Sequence, residues 1–212
     1  MLRYLHADKL HLYPRLAQSM FLDRAHQFRT RLQWEVTVHA DGAERDEYDG
    51  QNPLYVIWEN IDGRHGGSMR FLPTTGRTMI NDHFKRLTDD VEIRSPFIWE
   101  CTRFCLAPNA TPQVSALLML GGVELGIGAD LSHAVGVFDA RMVRVYRRVG
   151  WGPIILGTEG KGRDAVSVGL WAFEESVRRR LLARAGVSDE VSRFWYDYSL
   201  GARERQSLSR SA

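Results

Sequence analysis

Apolar residues recur along this 212-residue chain in two rhythms, one near a period of two and one near 3.6, and the alternation between them lays out the elements. Residues 2–6 read as a short first strand. Residues 14–32 read as a helix: Pro14 suits its first turn, Leu16, Met20, Phe21 and Phe28 give an incomplete apolar face, and fraying is expected near 30–33. A brief alternation at 36–38 precedes a loop at 40–53, where Asp41, Gly42, Glu44, Arg45, Asp46, Glu47, Asp49, Gly50, Asn52 and Pro53 are charges or breakers. Strands follow at 54–58 and 67–72, with a turn at Asp62-Gly63 between them, and Pro73 to Gly76 ends the second. A short helix is expected at 78–87 and a long apolar strand at 97–106. The helix at 112–126 opens at Pro112 and is apolar nearly all round, which predicts deep burial. A buried-type strand at 134–138 runs into an amphipathic helix at 141–149 that turns a basic face outward and stops at Gly150. Strands at 153–156 and 165–171 and a last helix at 174–185 complete the order. Strands interleaved with helices predict an α/β fold, a mixed twisted sheet with helices on both faces. A single domain over 1–206 is expected, with a disordered tail at 207–212.

Composition adds little to this picture. Hydrophobic content of 44% and charged content of 25% are ordinary for a folded soluble chain, and a formal net charge of +2 directs attention to where the arginines cluster. Cys101 and Cys105 lie four apart on one expected strand, too far to bridge each other, and read as core residues of a reduced, cytoplasmic protein. No stretch approaches the roughly 18 apolar residues of a membrane span, and the first residues lack a signal-peptide apolar region.

Candidate chemistry concentrates on Ile98-Trp99-Glu100-Cys101-Thr102-Arg103-Phe104, an apolar strand carrying an acid and a base. Strict alternation puts Glu100 and Arg103 on opposite faces, so a shared site requires a β-bulge or a splay that re-aims one of them. Arg24 and Phe28 are four apart and share a side of their helix; with Trp34 they suit an organic cation and its carboxylate. Asp46 and Asp49 flank Tyr48, another arrangement that can take a cation, and Arg70 sits on an otherwise apolar strand as a partner for a buried acid. The helix bearing Arg144, Arg147 and Arg148 attracts an acidic partner: nucleic acid, anionic lipid or acidic protein. Each group by itself also reads as ordinary packing, a salt bridge or a solvated face. No Ser/His/Asp order, phosphate-binding loop or zinc spacing is present, and no metal is expected.

Taken in order, Arg24, Phe28, Trp34, Asp46, Asp49, Arg70, Glu100 and Arg103 resemble the shared residue set of the LuxI-type N-acyl-homoserine lactone synthases. The intervening text agrees, in Glu44-Arg45-Asp46-Glu47-Tyr48-Asp49, in the run from Gly67 to Gly76 and in that from Ile98 to Phe104, densely from about residue 20 to 105 and more loosely to about 172. The resemblance implies a GNAT-like acyltransferase fold with a V-shaped cleft between two splayed strands, at 98–106 and 133–138. It implies acylation of the amine of S-adenosylmethionine from an acyl thioester, then lactonisation with release of methylthioadenosine. Both are substrates, so no cofactor is expected. An amine with a pKa of about 8 is mostly protonated at neutral pH, and Glu100 is the implied base, directly or through a water. Arg24, Phe28, Trp34, Asp46, Asp49 and Arg103 would bind S-adenosylmethionine, with Arg70 bracing the ion pairs. Phe104 and Phe138 would line the acyl pocket; Phe138 stands where many relatives carry a small or hydroxyl residue, which argues against a 3-oxo product.

The implied donor is acyl carrier protein, or alternatively acyl-CoA. Acyl carrier protein is acidic and suits Arg144, Arg147 and Arg148, and the segment Ala107 to Pro112 lacks a Gly-rich, basic pyrophosphate loop. The competing expectations are a GNAT-type acyl-CoA-dependent transferase acting on another amine and a nucleic-acid-binding protein. The first does not need Trp34, Asp46 and Asp49 together, and the second leaves the eight-residue set unexplained.

Overall fold

The structure is a computed structural model that describes residues 1–201; the tail expected at 207–212 lies outside the described residues. Seven strands form one open sheet: β1 (Leu2–His6), β2 (Leu54–Glu59), β3 (His65–Pro73), β4 (Ile98–Leu106), β5 (His133–Asp139), β6 (Ile154–Glu159) and β7 (Val166–Ala172), in the spatial order β1-β2-β3-β4-β5-β7-β6. Neighbours pair antiparallel except β4 and β5, which run parallel. The helices are α1 (Pro14–Ala25), α2 (Met79–His83), α3 (Pro112–Gly128), α4 (Ala140–Val149), α5 (Glu175–Ala185) and α6 (Asp189–Ser199). None is long and apolar enough to cross a membrane.

Strand alternation sorts the core onto two faces. Leu54 and Val56 of β2 join Met69, Phe71 and the apolar α3 on one face, where α5 and α6 also pack. Tyr55 and Ile57 point the other way, onto Leu16, Met20 and Phe21 of α1. Ile80 of α2 meets Val135 and Val168 in a smaller cluster. Helices thus cover both faces, as the periodicity predicts.

Two departures from regular pairing create the site. β4 and β5 pair only through Ile98–His133, Trp99–Ala134 and Glu100–Val135, then part. Beyond that point β4 continues against β3 and β5 against β7, so a V-shaped cleft opens. Where the strands part, Gly136 lets the backbones lie close: a Cβ there would sit 2.9 Å from the Cys101 carbonyl oxygen. The second departure is a bulge in β4. The β3–β4 register slips between Ser68 and Arg70, and Arg103 takes a left-handed backbone with φ of 53°.

Several expectations are corrected. The helix expected at 14–32 ends at Ala25 and continues as a wide π turn, His26–Arg31, whose extra residue per turn shifts Phe28 relative to α1. Residues 36–38 form no strand; a single bridge joins Val38 to Glu44. The helix expected at 78–87 divides into α2 and a 3-10 turn, Lys85–Thr88. Helix 174–185 is not the last. α6 follows it, capped by the Ser188 hydroxyl, which accepts from the Val191 N–H at 3.3 Å.

Candidate active site

Behind the cleft, three arginines face three carboxylates. Arg24 of α1 is 1% exposed. Its Nε donates to Glu44 Oε2 at 2.5 Å, and its two Nη atoms donate in parallel to Asp49 at 2.9 and 2.8 Å. Arg70 of β3 is fully buried and donates to Asp49 Oδ1 at 2.8 Å, to both oxygens of Asp46, and through Nε to the Thr102 hydroxyl at 3.0 Å. Arg103, re-aimed by the bulge, donates from Nε to Glu44 Oε1 at 3.1 Å; its Nη2 lies 2.7 Å from Asp46 Oδ2. The Tyr55 hydroxyl adds a 2.5 Å bond to Asp49.

The acids are held by local turn chemistry. Asp46 Oδ1 accepts from the backbone N–H groups of Tyr48 and Asp49 at 3.0 and 3.2 Å, and Asp49 Oδ2 accepts from the Asp46 N–H at 2.9 Å. A loop that looks solvated by composition is thereby rolled inward. Burial alone would raise the Asp49 carboxyl, but the Arg24 and Arg70 guanidiniums and the Tyr55 hydroxyl hold it well below the usual carboxylate range. Burial likewise opposes the charge on Arg24 and Arg70, and their carboxylate partners outweigh it, raising both.

Phe28 and Trp34 stack with ring centres 5.3 Å apart and planes 14° apart, and the Arg103 guanidinium lies 5.3 Å over the Phe28 ring. Gln33, with φ of 57°, makes the turn that folds Trp34 back onto Phe28. These rings form one end of a cavity of about 680 Å³ that runs into the cleft between β4 and β5. Phe28, Trp34, Asp46, Tyr48 and Arg103 line the charged end. Phe104, Met119, Gly122, Phe138, Tyr146 and Trp171 line the apolar arm. Phe138, Tyr146 and Trp171 meet edge-to-face in a triangle with centroid separations of 5.0–5.5 Å. Cys101 also touches the arm, and burial pushes its thiol up to about 12.

Glu100 is placed differently from its neighbours in the set. It is 1% exposed and is not part of the cavity wall. Oε1 accepts from the Ile80 N–H at 2.6 Å and Oε2 from the Met79 N–H at 3.1 Å, so it caps α2. Burial raises its carboxyl to about 7, against the lowering pull of those two N–H groups. Among the described residues it makes no ion pair with an arginine. The acid that completes the balance is Glu44, which is fully buried and bridges Arg24 to Arg103.

The structure therefore brings Arg24, Asp46, Asp49, Arg70 and Arg103 into one cluster and sets Phe28 and Trp34 beside it. It places Phe104 and Phe138 in the apolar arm. Arg144, Arg147 and Arg148 lie on the exposed side of α4, outside the cavity wall, which the same helix reaches through Arg141, Met142 and Tyr146. Glu44 and Tyr55 are the residues that sequence reasoning missed, and Tyr48, noted there between Asp46 and Asp49, does line the cavity. The Tyr48 hydroxyl donates to Asp82 at 2.9 Å and ties the acidic turn to α2. Among the described residues, no three His, Cys, Asp or Glu side chains gather as metal ligands.

The autoinducer synthase family model matches residues 9–181. An acyl-homoserine-lactone synthase of Rhizobium etli is 41% identical over 178 residues, covering 81% of this chain and 84% of the relative. One from Agrobacterium fabrum is 30% identical over 154 residues, covering 68% and 72%. Among solved structures, the CoA-dependent acyl-homoserine lactone synthase MesI superposes with a TM-score of 0.78 at 20% identity, covering 90% of this chain and 98% of that one. A second CoA-dependent synthase, BjaI, with SAM and isopentyl-CoA, also scores 0.78, at 21% identity over 89% and 90% of the two chains. An acyl-CoA N-acyltransferase from Pseudomonas aeruginosa shares the fold at a TM-score of 0.52, covering 81% of this chain and 98% of that one at 14% identity.

Proposed function

The chain belongs to the autoinducer synthase family, the acyl-homoserine-lactone synthases, and we propose that it joins S-adenosylmethionine to an acyl group delivered as a carrier-protein thioester. One observation carries the reading: a single cavity connects an aromatic, ion-pair-lined compartment to an apolar arm between two splayed strands. The first suits a zwitterionic cation with a flat ring system, the second an acyl chain. Phe28 and Trp34 offer the ring platform. Asp46 and Arg103 reach the cavity wall and offer one charge of each sign to the ammonium and carboxylate. Arg24, Asp49 and Arg70 stand behind them and fix their geometry. BjaI, of the same fold, has been solved with SAM and an acyl-CoA.

In this reading the amine gives up a proton, attacks the thioester carbonyl and forms the amide as the C–S bond breaks and the thiol leaves. Glu100 takes the proton. Its oxygens lie behind the cavity wall, so the route runs through a water entering beside Met79, which does line the cavity. Backbone N–H groups released by the bulge near Arg103 and by the parting of β4 from β5 would face the oxyanion. The carboxylate then attacks its own γ-carbon, the C–S bond to the sulfonium breaks, and methylthioadenosine leaves with the lactone formed. Arg144, Arg147 and Arg148 offer an acidic carrier protein a matching surface, and the cytoplasm supplies both substrates.

The test is mass spectrometry of the purified protein incubated with S-adenosylmethionine and acyl groups of several lengths, carried on acyl carrier protein or on CoA. The expected result is an acyl-homoserine lactone with an equal amount of methylthioadenosine, formed faster from the carrier protein. Neither product across the panel, with folded protein and intact substrates, would overturn the reading.

A further inference from the structure

Away from the cavity, a buried imidazole joins α1 to the strands that carry the arginines. His65, the first residue of β3, is 2% exposed. Its Nδ1 lies 2.7 Å from Asp23 Oδ2 and its Nε2 lies 3.0 Å from the Ser68 hydroxyl, while its backbone N–H donates to the Ser19 hydroxyl at 2.9 Å. Ser19 and Asp23 are four apart and share one side of α1, so a single residue grips two successive turns of that helix. A carboxylate only accepts, so Nδ1 carries the ring proton, and the neutral ring then accepts from Ser68 through Nε2. Burial holds the imidazole below its ordinary pKa of 6.5, against the raising pull of Asp23, and keeps the ring uncharged at neutral pH.

Strict alternation would put His65 and Ser68, three apart, on opposite faces of β3. The β2–β3 register breaks the alternation: Trp58 pairs with Gly67 and Glu59 with His65, so Gly66 is an extra residue that turns His65 to the side of Ser68. A Cβ at Gly66 would fall 2.6 Å from the Trp58 ring and 2.7 Å from the Asn60 amide oxygen, so glycine is what this bulge admits. The order carboxylate, imidazole, hydroxyl is that of a hydrolase triad. Ser68, however, is 2% exposed and is no part of the cavity wall, so no ester reaches it, and the three linked groups hold elements together instead. On one side, Arg24 follows Asp23 directly and the π turn to Phe28 begins at His26. On the other, Ser68 pairs with Cys105 at the slip in the β3–β4 register, beyond which Arg70 pairs with Thr102 and Arg103 is re-aimed. The stack of the Arg103 guanidinium over Phe28 crosses this same joint, and both residues line the cavity.

We propose that His65 is a positioning residue for the S-adenosylmethionine compartment: by gripping Asp23 and Ser68 together it sets where Arg24 and Phe28 stand against Arg70 and Arg103. The inference rests on the reading that this compartment binds S-adenosylmethionine. His65 touches no substrate, and it acts by fixing α1 against the bulged strand.

The experiment uses the full chain with Asp23→Ala, which removes the acceptor of the Nδ1–H, and with Asp23→Asn, which loses the charge and keeps a carbonyl acceptor. Binding of S-adenosylmethionine is measured by titration calorimetry, KM is measured for both substrates, and circular dichroism follows the fold. Asp23→Ala is expected to bind S-adenosylmethionine about tenfold more weakly, inside the range of roughly 2- to 30-fold by which side chains that touch no ligand shift affinity. Its KM for S-adenosylmethionine rises to match, and that for the acyl thioester does not. Asp23→Asn returns the affinity to within about twofold of wild type. A merely structural role would lower the folded fraction, and kcat with it, and leave KM unmoved. Unchanged affinity in Asp23→Ala, an equal rise in both KM values, or no recovery in Asp23→Asn would overturn the proposal. Should Asp23→Ala not fold, Ser68→Ala, which frees the other ring nitrogen, is held to the same test: about threefold weaker affinity is expected, and unchanged affinity would overturn the proposal. A wild type that binds S-adenosylmethionine but forms no lactone, with the variants shifting affinity as expected, would sink the reaction and leave the positioning role standing. A wild type that does not bind it would overturn both.

Discussion

Replacing Glu44 by Gln tests whether the buried cluster is balanced as a unit. The substitution keeps the shape of the side chain and removes one of three negative charges that face three guanidiniums. Glu44 is fully buried, and Arg24 and Arg103 are 1% and 12% exposed at their side chains, so water does little to screen the excess charge. Removing one partner of a buried ion pair costs about 3–5 kcal/mol; the Gln carbonyl still accepts one of the lost bonds, which puts the expectation near 3 kcal/mol. For a domain of this size that lowers Tm by roughly 6–12 °C. Thermal unfolding followed by circular dichroism and calorimetry measures it. The sharper readout is the double variant Glu44→Gln/Arg103→Gln, which restores the balance and should lose at least about 1 kcal/mol less than the two single losses combined. A Tm change under about 2 °C, or strict additivity, would refute the reasoning and make Glu44 a spectator.

Three further outcomes are expected. Glu100 has its carboxyl raised to about 7 by burial, so its neutral form stabilises the fold below the ordinary value of 4.5 and that contribution is lost as pH rises through 7. Activity should run the opposite way, since a base must be ionised: kcat rises with pH through about 7 in the wild type, and Glu100→Gln removes the inflection and lowers kcat by about 100-fold or more; a retained inflection would take Glu100 out of the proton path. Phe138→Ala, which breaks the aromatic triangle, should cost about 3 kcal/mol and move the product distribution toward longer acyl chains by mass spectrometry; an unchanged chain profile would place the end of the arm elsewhere. Trp34 is 40% exposed and stacks on Phe28, so Trp34→Ala should change stability by less than about 1 kcal/mol while raising KM for S-adenosylmethionine about tenfold, and a normal KM would remove the ring platform from the site.

What the sequence disclosed followed from local rules. A site shared by Glu100 and Arg103 called for a bulge or a splay; the left-handed Arg103 supplies a bulge, which turns Arg103 into the ion-pair cluster while Glu100 caps α2 instead. Arg24 and Phe28 suggested a shared helix side, although the backbone reaches Phe28 through a π turn rather than a continued α-helix. The misses have physical reasons. Glu44 lies in a stretch whose composition describes a solvated loop, and its partners are 20 and 59 residues away, beyond the reach of any periodicity. The partners of Glu100 are backbone N–H groups, which no side-chain pattern records. α6 was legible and overlooked: Ser188 and the acids after it are a helix start. Its exposed Val191, Phe194 and Tyr198 obscure the apolar face that Tyr196 carries inward.

The three-against-three cluster also shapes how such a chain can change over generations. Any single charge-altering step within it strands a buried ion, so an altered head-group compartment must arise by paired replacements that pass through a poorly folded intermediate. The apolar arm carries no such constraint, because Met119, Phe138 and Met142 can each be exchanged for another hydrophobe one at a time. The architecture thus leaves the identity of the appended chain open to gradual drift while holding the other half of the product nearly fixed, a built-in asymmetry suited to producing many dialects of one chemical language.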